Sequence, residues 1–338
     1  MRTSVVFVLP ATSLHGGNRL VFELAEGLAT RGYDARVVSP EPAPAWHHVA
    51  VPYEQVPIFE PGAIPRADIA IGTFYPTVGP AATSGARFAF HLCQGFEGVH
   101  REYAEKMPEI DAAYSLPIPK LLVSKHLLPV IEERYGSRCC WIGQFVDQEL
   151  FSPGPERPKN QRLTIGVVGP YGIRSKGIPE VLAGLALARR AGFALEVHHA
   201  SADPLSEAER AQGVTDRFFY HLPTDEMPAF YRRLDALLHP SYDEEGFPLP
   251  PLEAMACGVP VALTTIRPFA ALPDDAVLRF PPGEPEAVVP VIAALADPER
   301  RAALVRAARA NLVEFRRETV LDRLEEAFRA TGAIFAPA

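Results

Sequence analysis

Short apolar runs and longer amphipathic stretches alternate along the whole chain. Residues 3–9 (TSVVFVL) are a β-branched run that predicts a strand. A glycine-containing loop follows from Pro10 to Gly17. Leu20, Val21, Leu24 and Leu28 then mark one helical face, closed by Gly32. Residues 35–39, 67–72 and 86–93 predict further strands, and 139–143 (CCWIG) another. The stretch LLVSKHLLPVIEERYG reads as helical material ending at Gly136. From Asp147 to Arg162 the apolar periodicity disappears. Pro153, Pro155, Pro158 and the polar tail KNQR predict a linker there. The alternation then restarts. Strands are expected at 163–169, 194–199, 217–222, 235–241 and 259–265. Helices are expected at 178–191, 224–233, 251–257, 284–296, 299–314 and 318–330.

Strand–helix alternation on both sides of a linker predicts an α/β chain of two Rossmann-like domains with parallel sheets. The expected boundaries are 1–150, 151–315 and a last helical segment, 316–338, packing back on the first domain. Ligands in such sheets lie beyond the carboxyl ends of the strands, so two facing domains would enclose a cleft. A length of 338 residues agrees with more than one core.

Composition narrows the function classes. Hydrophobic residues make up 48% and charged residues 22%, enough apolar material to exclude disorder. The net charge of -8 disfavours broad nucleic-acid binding, which needs a basic footprint, but leaves room for a small anion pocket. The first half carries no basic excess that would hold it on an anionic membrane. The arginines from Arg300 to Arg329 read as a solvated helix face. Cys93, Cys139, Cys140 and Cys257 have no C-x-x-C spacing, so four free thiols in a reducing, cytoplasmic compartment are expected. No signal-peptide pattern opens the sequence, and no apolar run approaches the roughly 18 residues of a span. Integral membrane contact is therefore not expected, while peripheral contact stays open.

Most of the chemistry lies in His239 to Pro260, HPSYDEEGFPLPPLEAMACGVP. The segment leaves a buried strand, crosses an acidic turn and enters a helix prepared by Pro250 and Pro251 and stopped by Gly258. A helix start carries a partial positive charge of roughly half a unit, which suits a diphosphate. Glu245 on the loop and Glu253 in the helix cannot hold phosphate, but they can accept hydrogen bonds from sugar and ribose hydroxyls on either side of it.

The E-x7-E spacing of Glu245 and Glu253 within EGFPLPPLEAMACGVPV resembles the signature of the retaining glycosyltransferases of family 4, which have the GT-B fold. The resemblance implies that Glu245 contacts donor-sugar hydroxyls and Glu253 the ribose. It implies that the backbone of Gly246, Phe247, Pro248 and Leu249 meets sugar and phosphate. Gly16 and Gly17 resemble the family's N-terminal G-G loop, bordering acceptor and donor phosphate. No G-x-G-x-x-G is present, which disfavours a nicotinamide oxidoreductase. In VGPYGIRSKG (168–177), Lys176 matches the family lysine that neutralises the diphosphate. Pro170 stands where the family arginine is usual, and Arg174 is the candidate second cation. His91, at a strand end, matches a histidine near the transferred sugar. Gln94, Glu97 and His100 are candidates for the acceptor side. Gln144 and Phe145 replace Asn and Gly in a segment (144–153) that resembles the family's domain junction. Tyr220, His221 and Leu222 fall where the family seats the base.

The resemblance implies transfer of a sugar from a nucleoside diphosphate to a hydroxyl of a glycan, lipid or small molecule, with retention. A donor phosphate oxygen takes the acceptor proton, and neither cofactor nor metal is required. Glu245 and Glu253 are committed to binding, and no second carboxylate pair suits glycoside hydrolysis. Two rivals stay open: a sugar phosphorylase on the same fold, and a non-catalytic nucleotide- or glycan-binding scaffold, which the missing arginine at Pro170 favours.

Overall fold

The computed structural model describes residues 2–14, 16–155 and 161–333. The chain divides into two compact units: one runs to Gln144 and resumes at Arg317, and the other is Phe145–Arg316.

The first unit holds β1 (Ser4–Val8), β2 (Asp34–Ser39), β3 (Tyr53–Gln55), β4 (Ile69–Gly72), β5 (Phe88–Cys93), β6 (Lys120–Leu122) and β7 (Cys139–Trp141). All pair in parallel, in the order β3-β2-β1-β4-β5-β6-β7. Helices α1 (Gly16–Thr30), α2 (Tyr75–Thr83), α3 (Met107–Tyr114) and α4 (Leu127–Tyr135) connect them.

The second unit holds β8 (Leu163–Val168), β9 (Leu195–Ser201), β10 (Arg217–Tyr220), β11 (Ala236–His239), β12 (Val261–Thr264) and β13 (Val277–Phe280). They are parallel too, in the order β10-β9-β8-β11-β12-β13. Its helices are α5 (Ile178–Arg190), α6 (Glu207–Gln212), α7 (Met227–Tyr231), α8 (Leu249–Ala256), α9 (Val288–Ala296) and α10 (Pro298–Asn311). Alternate strand residues feed different cores. Leu237, Val261 and Leu263 pack in one cluster, and Ala236, Leu238 and Ala262 in another. A sheet apolar on both faces must be covered on both, and the helices do this.

The last helix, α11 (Arg317–Ala330), belongs to the first unit. Phe328 packs on Phe90, with ring centroids 5.1 Å apart, and Arg31 bridges Asp322 at 2.8 Å and Glu325 at 3.1 Å.

Several local expectations need correction. The stretch 121–136 is not continuous helix: Lys120–Leu122 is a buried strand between β5 and β7, and helix begins only at Leu127. A strand of three residues, one of them lysine, carries no period of its own, so the slot in the sheet decides. The expected linker holds no helix or strand in its described part, and Pro153, Pro155, Gln161 and Arg162 are exposed, but one point in it is packed. Phe151 is buried in the second unit's core and its amide bonds the Asp147 carbonyl. Pro158 and part of the polar tail fall in 156–160, outside the described residues. The elements β3, β13, α2 and α3 carry too little periodicity, or too much proline, to have been expected. Among the described residues no helix is long and apolar enough to cross a membrane.

Candidate functional site

In the second sheet the chain order reverses between β8 and β11, which are paired neighbours. Their following loops leave toward opposite faces and open a crevice at the carboxyl edge. Both chemistry-bearing segments are these two loops: Gly169–Lys176 after β8, and Pro240–Pro248 after β11.

Arg174–Lys176 forms a tight turn that ends at Gly177, the residue before α5. Gly177 has φ +61°, and a Cβ there would sit 2.1 Å from the Pro240 carbonyl oxygen. Only glycine meets both demands, so the lysine loop can lie directly on the end of β11. The Tyr242 amide donates to the Ser175 carbonyl at 2.8 Å and stitches the two loops together.

The side chains complete the junction. Lys176 Nζ donates to Glu245 Oε2 at 2.6 Å, and Ser175 Oγ to Glu245 Oε1 at 2.7 Å. Burial pushes the Glu245 carboxyl up, but the Lys176 charge and the hydrogen bonds from Lys176 and Ser175 outweigh it and hold the group below its usual range. Glu245 is therefore an anionic acceptor at neutral pH. Beneath it His239 is fully buried, with Nε2 at 2.9 Å from the Ser241 hydroxyl. Burial and the nearby Lys176 charge lower its pKa to about 3, so its ring is neutral. Arg174 is the looser cation. Its side chain is 62% exposed, pairs with Glu244 at 3.1 Å and lies over the Tyr242 ring.

Glu253 sits on α8 and is only 2% exposed, and Tyr231 donates its hydroxyl to Glu253 Oε2 at 2.6 Å. The α8 terminus differs from expectation. The helix starts at Leu249, not 251, with Pro248 as its cap. Pro248, Pro250 and Pro251 have no N–H, so Leu249 holds the one backbone donor from the cap to the third helical residue. The expected row of free amides is cut to one. Gly246, Phe247 and Leu249 keep N–H groups on this segment, whereas Pro248 offers only its carbonyl. At the outer edge, His221 follows β10 with φ +53°, the single positive φ on a non-glycine among the described residues, and Tyr220 beside it is 57% exposed.

The other candidates lie in the first unit. Gly16 and Gly17 open α1 instead of forming a loop; His15 before them is outside the described residues. Gly17 and Gln94 meet: a Cβ on Gly17 would come 2.8 Å from Gln94 Oε1. Glu97 takes the Tyr114 hydroxyl at 2.6 Å, and burial raises its pKa. His100 lies half-buried, 3.8 Å from Glu102. His91 is closed off completely, its ring edge-on to Tyr114, and neither ring nitrogen has a hydrogen-bond partner among the described residues. Burial, reinforced by the Lys120 charge, holds it neutral.

Glu245, Lys176 and Arg174 are thus brought together, with Glu253 deeper on α8. Sequence reasoning missed Ser175, Tyr231 and His239. Ser175 stood between the two cations it had singled out, and His239 opened the signature segment. Among the described residues no group of three or more His, Cys, Asp or Glu is placed to hold a metal ion.

Residues 162–297, nearly all of the second unit's sheet and helices, match the family described as glycosyl transferases group 1. A stretch of 82 residues is 40% identical to the lipopolysaccharide core biosynthesis mannosyltransferase LpsB of Rhizobium meliloti (strain 1021), covering 24% of this chain and 23% of that protein. Another, of 72 residues, is 35% identical to the O-antigen chain mannosyltransferase B of Escherichia coli, covering 21% and 19%. The matches therefore span less than a quarter of either relative's length. Among solved structures, sucrose-phosphate synthase from Thermosynechococcus elongatus superposes with a TM-score of 0.80 at 17% identity, over 98% of this chain and 100% of that one. Anabaena Alr3699/HepE in complex with UDP and glucose gives 0.79 at 15%, over 97% and 100%. The α/β, GT-B fold expected from the sequence is the fold found, two Rossmann-like units with parallel sheets.

Proposed function

We propose that the chain is a glycosyltransferase that moves a sugar from a nucleoside-diphosphate sugar to a hydroxyl acceptor, a glycan, glycolipid or small molecule, with retention at the anomeric carbon. The observation that carries the reading is the meeting of Lys176, Ser175 and Glu245 at the switch point of the second sheet, inside the stretch that matches group 1 glycosyl transferases. UDP and sugar in the HepE complex, and the mannosyltransferase activity of the partial relatives, agree with such a donor.

In this reading the Lys176–Glu245 pair divides its work when the donor arrives. Lys176 turns to the diphosphate, and the anionic Glu245 accepts hydrogen bonds from sugar hydroxyls. The bond from the anomeric carbon to the phosphate oxygen breaks, and a bond to the acceptor oxygen forms on the same face. The acceptor proton passes to a departing phosphate oxygen. Lys176 and Arg174 stabilise the charge that develops on the leaving group, where a fixed cation acts most strongly. The step needs no metal and no protein base. The Leu249 amide is the α8 donor left to the phosphate. Glu253 takes the ribose; Gln94, Glu97, Gly16 and Gly17 serve the acceptor, whereas His91, fully buried behind Tyr114, makes no contact with the sugar. A reducing, cytoplasmic setting suits the four free thiols.

A thermal-shift series with UDP, GDP, ADP and dTDP, then with their sugars, tests the reading, because a ligand of the folded state raises its apparent stability. The matching nucleotide stabilises the wild type and not Lys176→Ala. Comparing the ribose nucleotide with its 2′-deoxy form tests Glu253. Stabilisation by none of the four defeats the proposal. Arg174's exposure and its pairing with Glu244 favour one second reading, a binding scaffold without turnover. Tight nucleotide binding with no hydrolysis or transfer of the sugar would select it.

A further inference from the structure

Behind the lysine loop lies a buried polar pair that the proposed chemistry does not use. His199, on β9, is 0% exposed, and Glu209, on α6, is 2% exposed. His199 Nδ1 lies 2.7 Å from Glu209 Oε1, and Nε2 lies 2.7 Å from the Gly169 carbonyl oxygen. Thr215 Oγ1 donates to the same Glu209 oxygen at 2.8 Å. The Gly169 amide donates to the Ala200 carbonyl at 3.0 Å. Both backbone polar groups of Gly169 are thus held by consecutive residues of β9.

A carbonyl only accepts, so His199 Nε2 carries a hydrogen. Nδ1 then faces a carboxylate oxygen, and the 2.7 Å contact requires a second proton between them, on one side or the other. Glu209 therefore fixes which way the imidazole faces, and the imidazole fixes the Gly169 peptide. Gly169 is the first residue of the loop that ends at Lys176, whose far end is fixed by Glu245 and by Gly177 against Pro240. Between the two anchors the loop is open: Gly172, Ile173 and Arg174 are exposed.

We infer that His199 and Glu209 are positioning residues: a buried, proton-sharing pair that clamps the head of the β8 loop and so sets where Lys176 stands. They touch no substrate. The consequence for the donor rests on the proposed diphosphate site, but the clamp itself does not. A hydrogen bond between a lysine and a phosphate is worth about tenfold to a hundredfold in affinity, and a lysine moved off its place loses it.

The test uses the full chain with His199→Leu, Glu209→Leu, Glu209→Gln and Lys176→Ala. Hydrogen–deuterium exchange is followed on peptides covering 169–177 without any nucleotide, and the Kd of UDP, or whichever diphosphate binds the wild type, is measured on folded protein. The two leucine variants should exchange at 169–177 about tenfold faster or more, with β8 itself unchanged, and bind the diphosphate about tenfold to a hundredfold more weakly. Glu209→Gln keeps a donor toward Nδ1, so both readouts should stay near wild type. That rescue separates orientation from simple loss of packing. If His199→Leu fails to fold, the Glu209 pair carries the same test. Unchanged loop exchange in folded leucine variants overturns the inference. So does faster exchange with unchanged affinity when Lys176→Ala has lost it. Retained affinity in Lys176→Ala instead overturns the diphosphate reading, and the exchange result then decides the clamp alone.

Discussion

Lys176 and Glu245 lie 69 residues apart in the chain and 2.6 Å apart in space, joined across the neighbouring loops of β8 and β11. The two charges offset one another, and in the proposed function each partner holds the other where the donor arrives. Removing one should not act like removing the other. Lys176→Ala leaves the Glu245 carboxylate with the Ser175 hydroxyl but without its cation. A loss of about 1–3 kcal/mol of stability is expected, since an isolated charge is costly in a half-buried place. Glu245→Gln keeps a side chain that Ser175 and Lys176 can bond, and should cost less. Urea unfolding of both variants at pH 7 measures the difference. Equal losses would mean that the pair is screened as a surface pair is.

Gly177 makes that contact possible. Alanine there must adopt φ near +61° and place its Cβ 2.1 Å from the Pro240 oxygen. The conformation alone costs about 1–2 kcal/mol, and the overlap forces the two loops apart. Gly177→Ala should therefore lower the Tm and weaken diphosphate binding together. A Tm change with wild-type affinity would show that the loops can separate without moving Lys176.

Much of this was legible in the sequence, for reasons visible in particular residues. The β8 and β11 runs (LTIGVV, ALLH) are apolar on both faces, which only a covered parallel strand requires, and Glu245 and Lys176 stand in strand-end loops where such sheets bind ligands. What could not be read was tertiary. Lys120 looks like an ordinary surface lysine until β6 fits between β5 and β7. His199 and Glu209 stand 10 residues apart, on a strand and a helix, with no motif linking them. The prolines of α8 announced a helix start correctly, but the expected row of amides ignored that proline itself has none.

The pH dependence of stability should be set by buried neutral histidines. His239 has its pKa lowered to about 3 by burial and the Lys176 charge, against 6.5 when unfolded. Between those values the unfolded chain binds a proton that the folded chain does not, so stability falls as pH drops below 6.5, by about 1.4 kcal/mol per pH unit. His91, also lowered, acts in the same direction. Glu245, held below its ordinary 4.5, adds its loss only at lower pH. Glu97, raised by burial, opposes them as the folded state takes up its proton first. The variant isolates one member: His239→Asn should lose about 2 kcal/mol less than wild type between pH 7 and pH 5, by urea unfolding. Parallel pH profiles would refute the assignment.

Lys120 gives the sharpest test in the first unit. Its side chain is fully buried on β6, and its ammonium donates to the Leu116 carbonyl at 3.1 Å. Among the described residues it forms no ion pair, and beside it stands the neutral His91. Burial pushes the Lys120 pKa down from its usual value. A charged group held this way opposes folding, since few hydrogen bonds replace its lost water. Because the folded pKa is the lower one, the opposition is full below it and is relieved as pH rises through it toward 10.5. Lys120→Met keeps the length and removes the charge. It should stabilise the protein by about 1–3 kcal/mol at pH 7, as replacing buried ions by apolar side chains of similar volume often does. The gain should shrink as pH rises toward 10.5, because the folded state releases this proton before the unfolded chain does. Destabilisation at pH 7 would show instead that the ammonium holds the Leu116 turn, and with it the start of β6, more strongly than burial opposes it.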